Sequence, residues 1–260
     1  MSISSSAKGK NDEFVTEVTS FFDVLAKRSG VLIGVGVGVL VAAGVLAFVS
    51  SKNEQKSDAG RSALYLAEKN LDTQEKALTK ILVPAPVATA APKGTAQKPP
   101  QDLGTEAIAY KKLDVDTQFA DSVTKLKAVA TDFSGTRAGF DSMLVLGKLY
   151  LNHGEPAKAA EWFSKSTEHA PASLDRALAW NSLGYAYEND TQYKEAMSAF
   201  DQALSVGEAT LKGDLLLSKA RVAEEMNDSA TAKTVYDQIQ SQLPNTDYSK
   251  QAELYKSRLK

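Results

Sequence analysis

Hydrophobic and polar positions change their spacing several times along the 260 residues, and each change predicts a different element. Phe14, Val18, Phe21, Phe22 and Leu25 recur at helical intervals behind Asn11 and Asp12, which predicts a capped amphipathic helix suited to a membrane surface. From Ser29 to Ser51 no residue is charged, and the nineteen residues Val31 to Val49 are only Val, Leu, Ile, Ala, Gly and Phe. As a helix that run spans roughly 28 Å, close to the ~30 Å hydrocarbon core of a bilayer, so the pattern predicts a transmembrane helix. A cleaved signal peptide fits less well, because its apolar stretch is about 7 to 15 residues behind a short basic region. Here the run is longer, and Asp12, Glu13, Glu17 and Asp23 precede it. Lys52 to Leu82 reads as a helical stem with Ala63, Leu64, Leu66, Ala67 and Leu71 as its apolar positions. Residues 83–103 then hold five prolines and no aromatic residue, the composition of an extended linker that lets a distal domain move relative to an anchor. The expected organisation is a tail at 1–29, a membrane helix at 30–50, the stem at 51–82, the linker at 83–103 and a helical domain at 104–260.

Within that last segment one pattern recurs. Phe140, Met143, Leu146, Gly147 and Tyr150 are followed by Ala159, Phe163 and Pro171. The same places are then taken by Ala177, Trp180, Leu183, Gly184 and Tyr187, followed by Ala196, Phe200 and Ala203. A third, more degenerate copy starts at Gly213 and keeps Leu216, Ala220, Ala232, Tyr236, Ile239 and Pro244, with Lys219 and Ala223 replacing the expected Leu and Tyr. These spacings resemble the tetratricopeptide unit. Small residues at its eighth and twentieth positions let two antiparallel helices approach closely, and large ones at the fourth, seventh, eleventh and twenty-fourth fill the space between hairpins. A single hairpin leaves an apolar face exposed, so several must stack. Asp116 to Asp132 reads as the second helix of a degenerate leading unit, with Phe119, Val123, Leu126 and Val129 on one face. Tyr248, Ala252, Tyr255 and Leu259 form the face of a terminal capping helix, with Asp247 as its N-cap. The expected fold is all-α: a membrane helix, a stem and a solenoid of about three to four helical hairpins.

Composition narrows the chemistry. The net charge of −2 gives no clustered basic face of the kind a nucleic-acid backbone calls for. Without cysteine there is no disulfide, thiolate zinc site or cysteine nucleophile. His153 falls in a turn and His169 in the last turn of a helix, where the dipole explains it. Carboxylates sit at salt-bridge spacing with cations, as in Glu155 and Lys158. Gly34 to Gly38 superficially suggests a nucleotide loop but lies inside the apolar run, and no P-loop, nucleophile elbow or zinc-helix motif occurs. Asn189-Asp190-Thr191 and Asn227-Asp228-Ser229 are formal glycosylation sequons in turns, where Asn and Asp are expected anyway. No enzyme activity, cofactor, metal or small-molecule substrate is expected. Gly30, Gly34 and Gly38 line one side of the apolar run, where another membrane helix can pack closely. Lys27 and Arg28 on one side of the run and Lys52, Lys56 and Arg61 on the other leave its orientation nearly undetermined by charge.

The order of tail, apolar helix, stem and repeats resembles the YfgM-like family of bacterial inner-membrane proteins. That resemblance implies a cytoplasmic N-terminus, a periplasmic repeat domain and an ancillary role at the Sec translocon, with translocon subunits, periplasmic chaperones or exported polypeptides as partners. The proline-rich stretch at 83–103 departs from the family and leaves room for another job, a scaffold or assembly factor for a different envelope complex. The tetratricopeptide resemblance further implies that first helices line a concave groove through their second, fifth, ninth and twelfth positions. Here these are Asp141, Leu144, Lys148 and Leu151, then Leu178, Asn181, Tyr185 and Glu188, then Asp214, Leu217, Arg221 and Glu224. The mixture of apolar, aromatic and oppositely charged side chains suits an extended polypeptide. It resembles a carboxylate clamp only superficially, since Lys148 and Asn152 sit one turn later than such a clamp requires.

Overall fold

The computed structural model describes residues 29–82 and 113–259, with the side chains of residues 29–42, 44 and 80–82 left outside that description. The expected amphipathic helix from Phe14 to Leu25 and the linker at 83–103 lie outside the described residues. The chain divides into two compact units, Met1–Gln55 and Lys56–Lys260. Helix α1, Ser29–Leu82, begins in the first. Its backbone is helical throughout the uncharged run, but the side chains of residues 31–42, most of that run, and the surroundings of Gly30, Gly34 and Gly38 lie outside the description. Among the described residues no helix is long and apolar enough to cross a membrane. Val45, Leu46, Phe48 and Val49, at the end of the run, are all exposed.

In the second unit the described residues are helical hairpins, with no strand. After α2 (Val115–Gln118) and α3 (Ala120–Asp132) come the pairs α4 (Arg137–Asn152) and α5 (Pro156–His169), α6 (Ser173–Asn189) and α7 (Tyr193–Ser205), and α8 (Lys212–Glu225) and α9 (Ser229–Gln242). Helix α10 (Asp247–Lys256) follows as a cap. A single 3-10 turn, Ala209–Leu211, leads into α8.

The three hairpin turns repeat one hydrogen-bond pattern. Glu155, Gln192 and Asp228 donate their backbone N–H to the carbonyls of Tyr150, Tyr187 and Ala223 at 2.8–2.9 Å. The preceding residues donate to Leu151, Glu188 and Glu224. This is the Schellman ending, which satisfies carbonyls that a helix end leaves open and needs a left-handed residue at its corner. Gly154, Thr191 and Asn227 fill that corner, with φ of 77°, 58° and 57°. Only the first is the residue type that adopts this conformation freely. The second helices start on Pro156, which lacks the N–H a first turn leaves unpaired, and behind Asp228, whose carboxylate accepts from Thr231 N at 3.0 Å.

Within hairpins the glycines are steric requirements. A Cβ on Gly147 would lie 2.5 Å from the ring of Phe163, and one on Gly184 2.5 Å from the ring of Phe200. Both rings are buried, so neither can yield easily. The close approach expected from the repeat spacing is present in both units. At the C-terminal cap the structure corrects the sequence reading. The N-cap is Thr246, extended at φ −96° and ψ 165°, whose side chain accepts from Ser249 N, while Asp247 sits in the first helical turn and pairs with Lys250.

The stem is not set apart by the proline-rich stretch. Leu64, Ala67 and Leu71 of α1 are buried in one core with Val115, Phe119, Val123 and Leu126. Asn70 Nδ2 donates to Asp121 at 2.6 Å, and the Ser122 hydroxyl lies within hydrogen-bond distance of both Asn70 Oδ1, at 2.8 Å, and the Gln74 side-chain amide. Gly60 lies against Phe133, at the other end of α3, so the stem runs antiparallel to α3 and serves as its hairpin partner. An apolar stripe of this length is costly to leave in water, and α3 presents the matching face.

A polar knot joins α2 to the next hairpin. Asp116 accepts from Tyr150 Oη at 2.7 Å, Lys158 Nζ at 2.8 Å and Lys127 Nζ at 3.2 Å. Glu155 receives Val115 N at 3.0 Å and pairs with Lys158. His153, read as a turn residue, is buried with its ring 5.1 Å from that of Phe119. The Lys158 ammonium first, and the Tyr150 hydroxyl next, hold the Asp116 carboxyl down to about 2.

Two outcomes are expected. Gly184→Leu overpacks the α6–α7 contact and lowers stability by about 1–3 kcal/mol or more, and an unchanged melting temperature would show the repeat register to be wrong. Because the folded-state pKa of Asp116 is depressed, its contribution is complete above the ordinary carboxylate range and lost as pH falls toward 2. Asp116→Asn should therefore cost stability at pH 6, by no more than ~1 kcal/mol for so exposed a group, and the difference should vanish between about pH 4 and pH 2 in denaturant titrations.

Candidate partner-binding groove

Helices α4, α6 and α8 present their outward stripes side by side, and two cavities open along them. The first, of about 350 Å3, lies between α4 and α6. Leu144, Lys148, Leu151 and Asn152 form one wall, Leu178, Ser182, Tyr185 and Asn189 the other, and Phe163 of α5 is also part of the lining. The second, of about 400 Å3, lies between α6 and α8 and is bounded by Tyr185, Glu188, Asn189, Tyr193, Arg221 and Glu225. Tyr185 and Asn189 belong to both.

Tyr185 is held on several sides. Its ring meets Phe200 edge-on at 5.5 Å, its hydroxyl lies 3.0 Å from Ser218 Oγ, and the Arg221 guanidinium sits 5.4 Å above its face. Arg221 grips Glu188 with two hydrogen bonds of 2.5 and 2.8 Å. That planar fork is the strong form of the pair, and it pushes the Arg221 pKa above its ordinary value, with burial opposing. Lys148 makes no hydrogen bond or ion pair among the described residues, although it is exposed beside the apolar walls.

The structure sorts the sequence-predicted groove residues. Leu144, Lys148, Leu151, Leu178 and Tyr185 meet around the first cavity, and Glu188 and Arg221 join Tyr185 around the second. Asp141 is instead bound to Arg137, which also reaches Asp175 at 3.0 Å. Glu224 accepts the Tyr236 hydroxyl, Asp214 accepts that of Tyr248, and Leu217 packs on the core of the third hairpin. Asn181 lines neither cavity, and its Oδ1 is buried without a hydrogen-bond partner. Sequence reasoning named Asn152 only in setting aside a carboxylate clamp, and it missed Ser182, Asn189 and Glu225. Each stands four residues beyond a residue lining the same cavity, so extending the stripe by one turn finds them. Among the described residues no three His, Asp or Glu side chains are grouped to hold a metal ion.

Residues 177–206 and 214–246 match the tetratricopeptide repeat family, and they correspond to the second and third hairpins. No curated protein sequence matches the chain. Two crystal structures of the nearly identical TPR-like repeats of a putative kinesin light chain from Podosopora anserina are similar, each with a TM-score of 0.44. They are 20% and 19% identical to this chain, covering 59% of it and 81% of their own length.

Proposed function

We propose that the chain is a membrane-tethered protein–protein interaction module whose groove holds extended polypeptide, working as an ancillary subunit of the translocon and periplasmic chaperone network. Tetratricopeptide repeats indicate a module that binds proteins. The observation that carries the reading is the pair of adjoining cavities on α4, α6 and α8, one walled by leucines and the other polar. Apolar walls supply affinity to many sequences, and polar side chains along the rim adapt to each. Tethering is supported by the uncharged run from Ser29 to Ser51 and by the exposure of Val45, Leu46, Phe48 and Val49 around the helix. A helix apolar on all sides calls for an apolar solvent. The YfgM-like order of elements supports a cytoplasmic tail and a periplasmic repeat domain.

Protease added to spheroplasts should remove the repeat domain; a protected domain with an accessible tail would reverse the topology and end the translocon reading. Leu178→Ser, at an exposed position, combined with Leu144→Ser, which gives up some packing on the core, should weaken binding of a permanently unfolded model protein about tenfold or more while the domain stays helical. Unchanged binding by the folded double variant would remove the groove from the function. Crosslinking in native membranes should recover translocon subunits, whereas recovery of one other envelope complex would replace this role by that of an assembly scaffold.

A further inference from the structure

We propose that the first cavity is a subsite for an acidic and apolar pair of neighbouring side chains within an internal segment of the partner. The apolar side chain enters between α4 and α6, and the carboxylate beside it pairs with Lys148. This rests on the groove reading above and adds a sequence preference to it.

Two cations line the cavities, and their situations differ. Arg221 is committed to Glu188 by two hydrogen bonds, so its charge is compensated before any partner arrives. Lys148 has no partner among the described residues. A carboxylate placed at the mouth of the cavity therefore meets one uncompensated ammonium. The walls next to it are Leu144, Leu151 and Leu178, so the same segment gains by burying an apolar side chain there. Exposed ion pairs contribute little affinity alone. The apolar group accordingly supplies most of the binding and the charge supplies the choice of sequence. Asn152, on the same rim, offers an amide that can both donate to and accept from a main chain. An internal segment fits better than a chain end. The groove continues past Tyr185 into the second cavity, and one ammonium is few donors for a terminal carboxylate.

The test uses the full-length protein in detergent and three fluorescent peptides with both ends blocked, alike except that the residue beside a central leucine is aspartate, asparagine or lysine. The aspartate peptide should bind at least fivefold more tightly than the lysine peptide. Lys148→Glu should reverse that order, and Lys148→Gln should abolish the preference while keeping the asparagine peptide's affinity. Leu144→Ser should weaken all three. An order unchanged in both Lys148 variants, with Leu144→Ser still weakening every peptide, would overturn this subsite and leave the groove reading standing. Insensitivity of all three peptides to Leu144→Ser, or no binding of any by the unaltered protein, would overturn both. Binding that appears only when the C-terminus is left free would also overturn the proposal, in favour of a terminal carboxylate. Circular dichroism of each variant confirms its fold, and the two Lys148 substitutions provide independent readings at an exposed position.

Discussion

Two helices can pack with a phenyl ring between their backbones only if one of them gives up a side chain, and that constraint organises the repeat domain. Gly147 faces Phe163 and Gly184 faces Phe200, each at a distance that excludes even a methyl group. The ring gains contact with a main chain instead of a side chain, and with residues of the next hairpin beside it the ring is almost completely buried. Hairpins closed in this way keep their first helices at a fixed spacing from one another. The turn geometry at Gly154, Thr191 and Asn227 does the same at the ends.

That spacing creates the groove. Since the second helices fill the core with Phe163 and Phe200, the first helices are free to show side chains of any chemistry on their outer stripe. Leu178 stands exposed on it, while Leu144 and Leu151 also rest partly on the first core, as Leu217, one or two units later, rests on the third. Tyr185 belongs to both worlds. Its ring packs on Phe200 and its other face is a wall shared by the two cavities, so the groove is anchored to the core where the cavities meet.

The repeats are legible from sequence because steric exclusion leaves a mark: glycine at a fixed distance from an aromatic residue has few other causes. The stripe is legible as well, from helical periodicity, but part of its far end escapes notice because Asn189 looks like an ordinary residue near a helix end. What spacing shows poorly is which groove acids are already engaged. Asp214 and Glu224 read as groove acids until the Tyr248 and Tyr236 hydroxyls on later helices are seen donating to them, whereas the pairing of Asp141 with Arg137 is an i, i+4 contact along one helix. The stem misleads for a different reason. Its stripe announces burial without naming the surface, and the prolines at 83–103 suggest separation where α1 and α3 in fact pack together. At α10, Thr246 and Asp247 are both good capping residues, and only the backbone angles decide between them.

The leading hairpin differs from the others in how far apart its halves lie along the chain. Asn70 and Ser122 are 52 positions apart, whereas Tyr150 and Glu155 close a turn over five. Closing the longer loop costs about 2 kcal/mol more free energy, because the entropy grows only with the logarithm of length. Time is another matter. A ribosome adding about 5–20 residues per second makes the stem roughly 3–10 s before the helix that covers it. Throughout that interval Leu64, Ala67 and Leu71 form an apolar stripe whose covering helix has not yet been made.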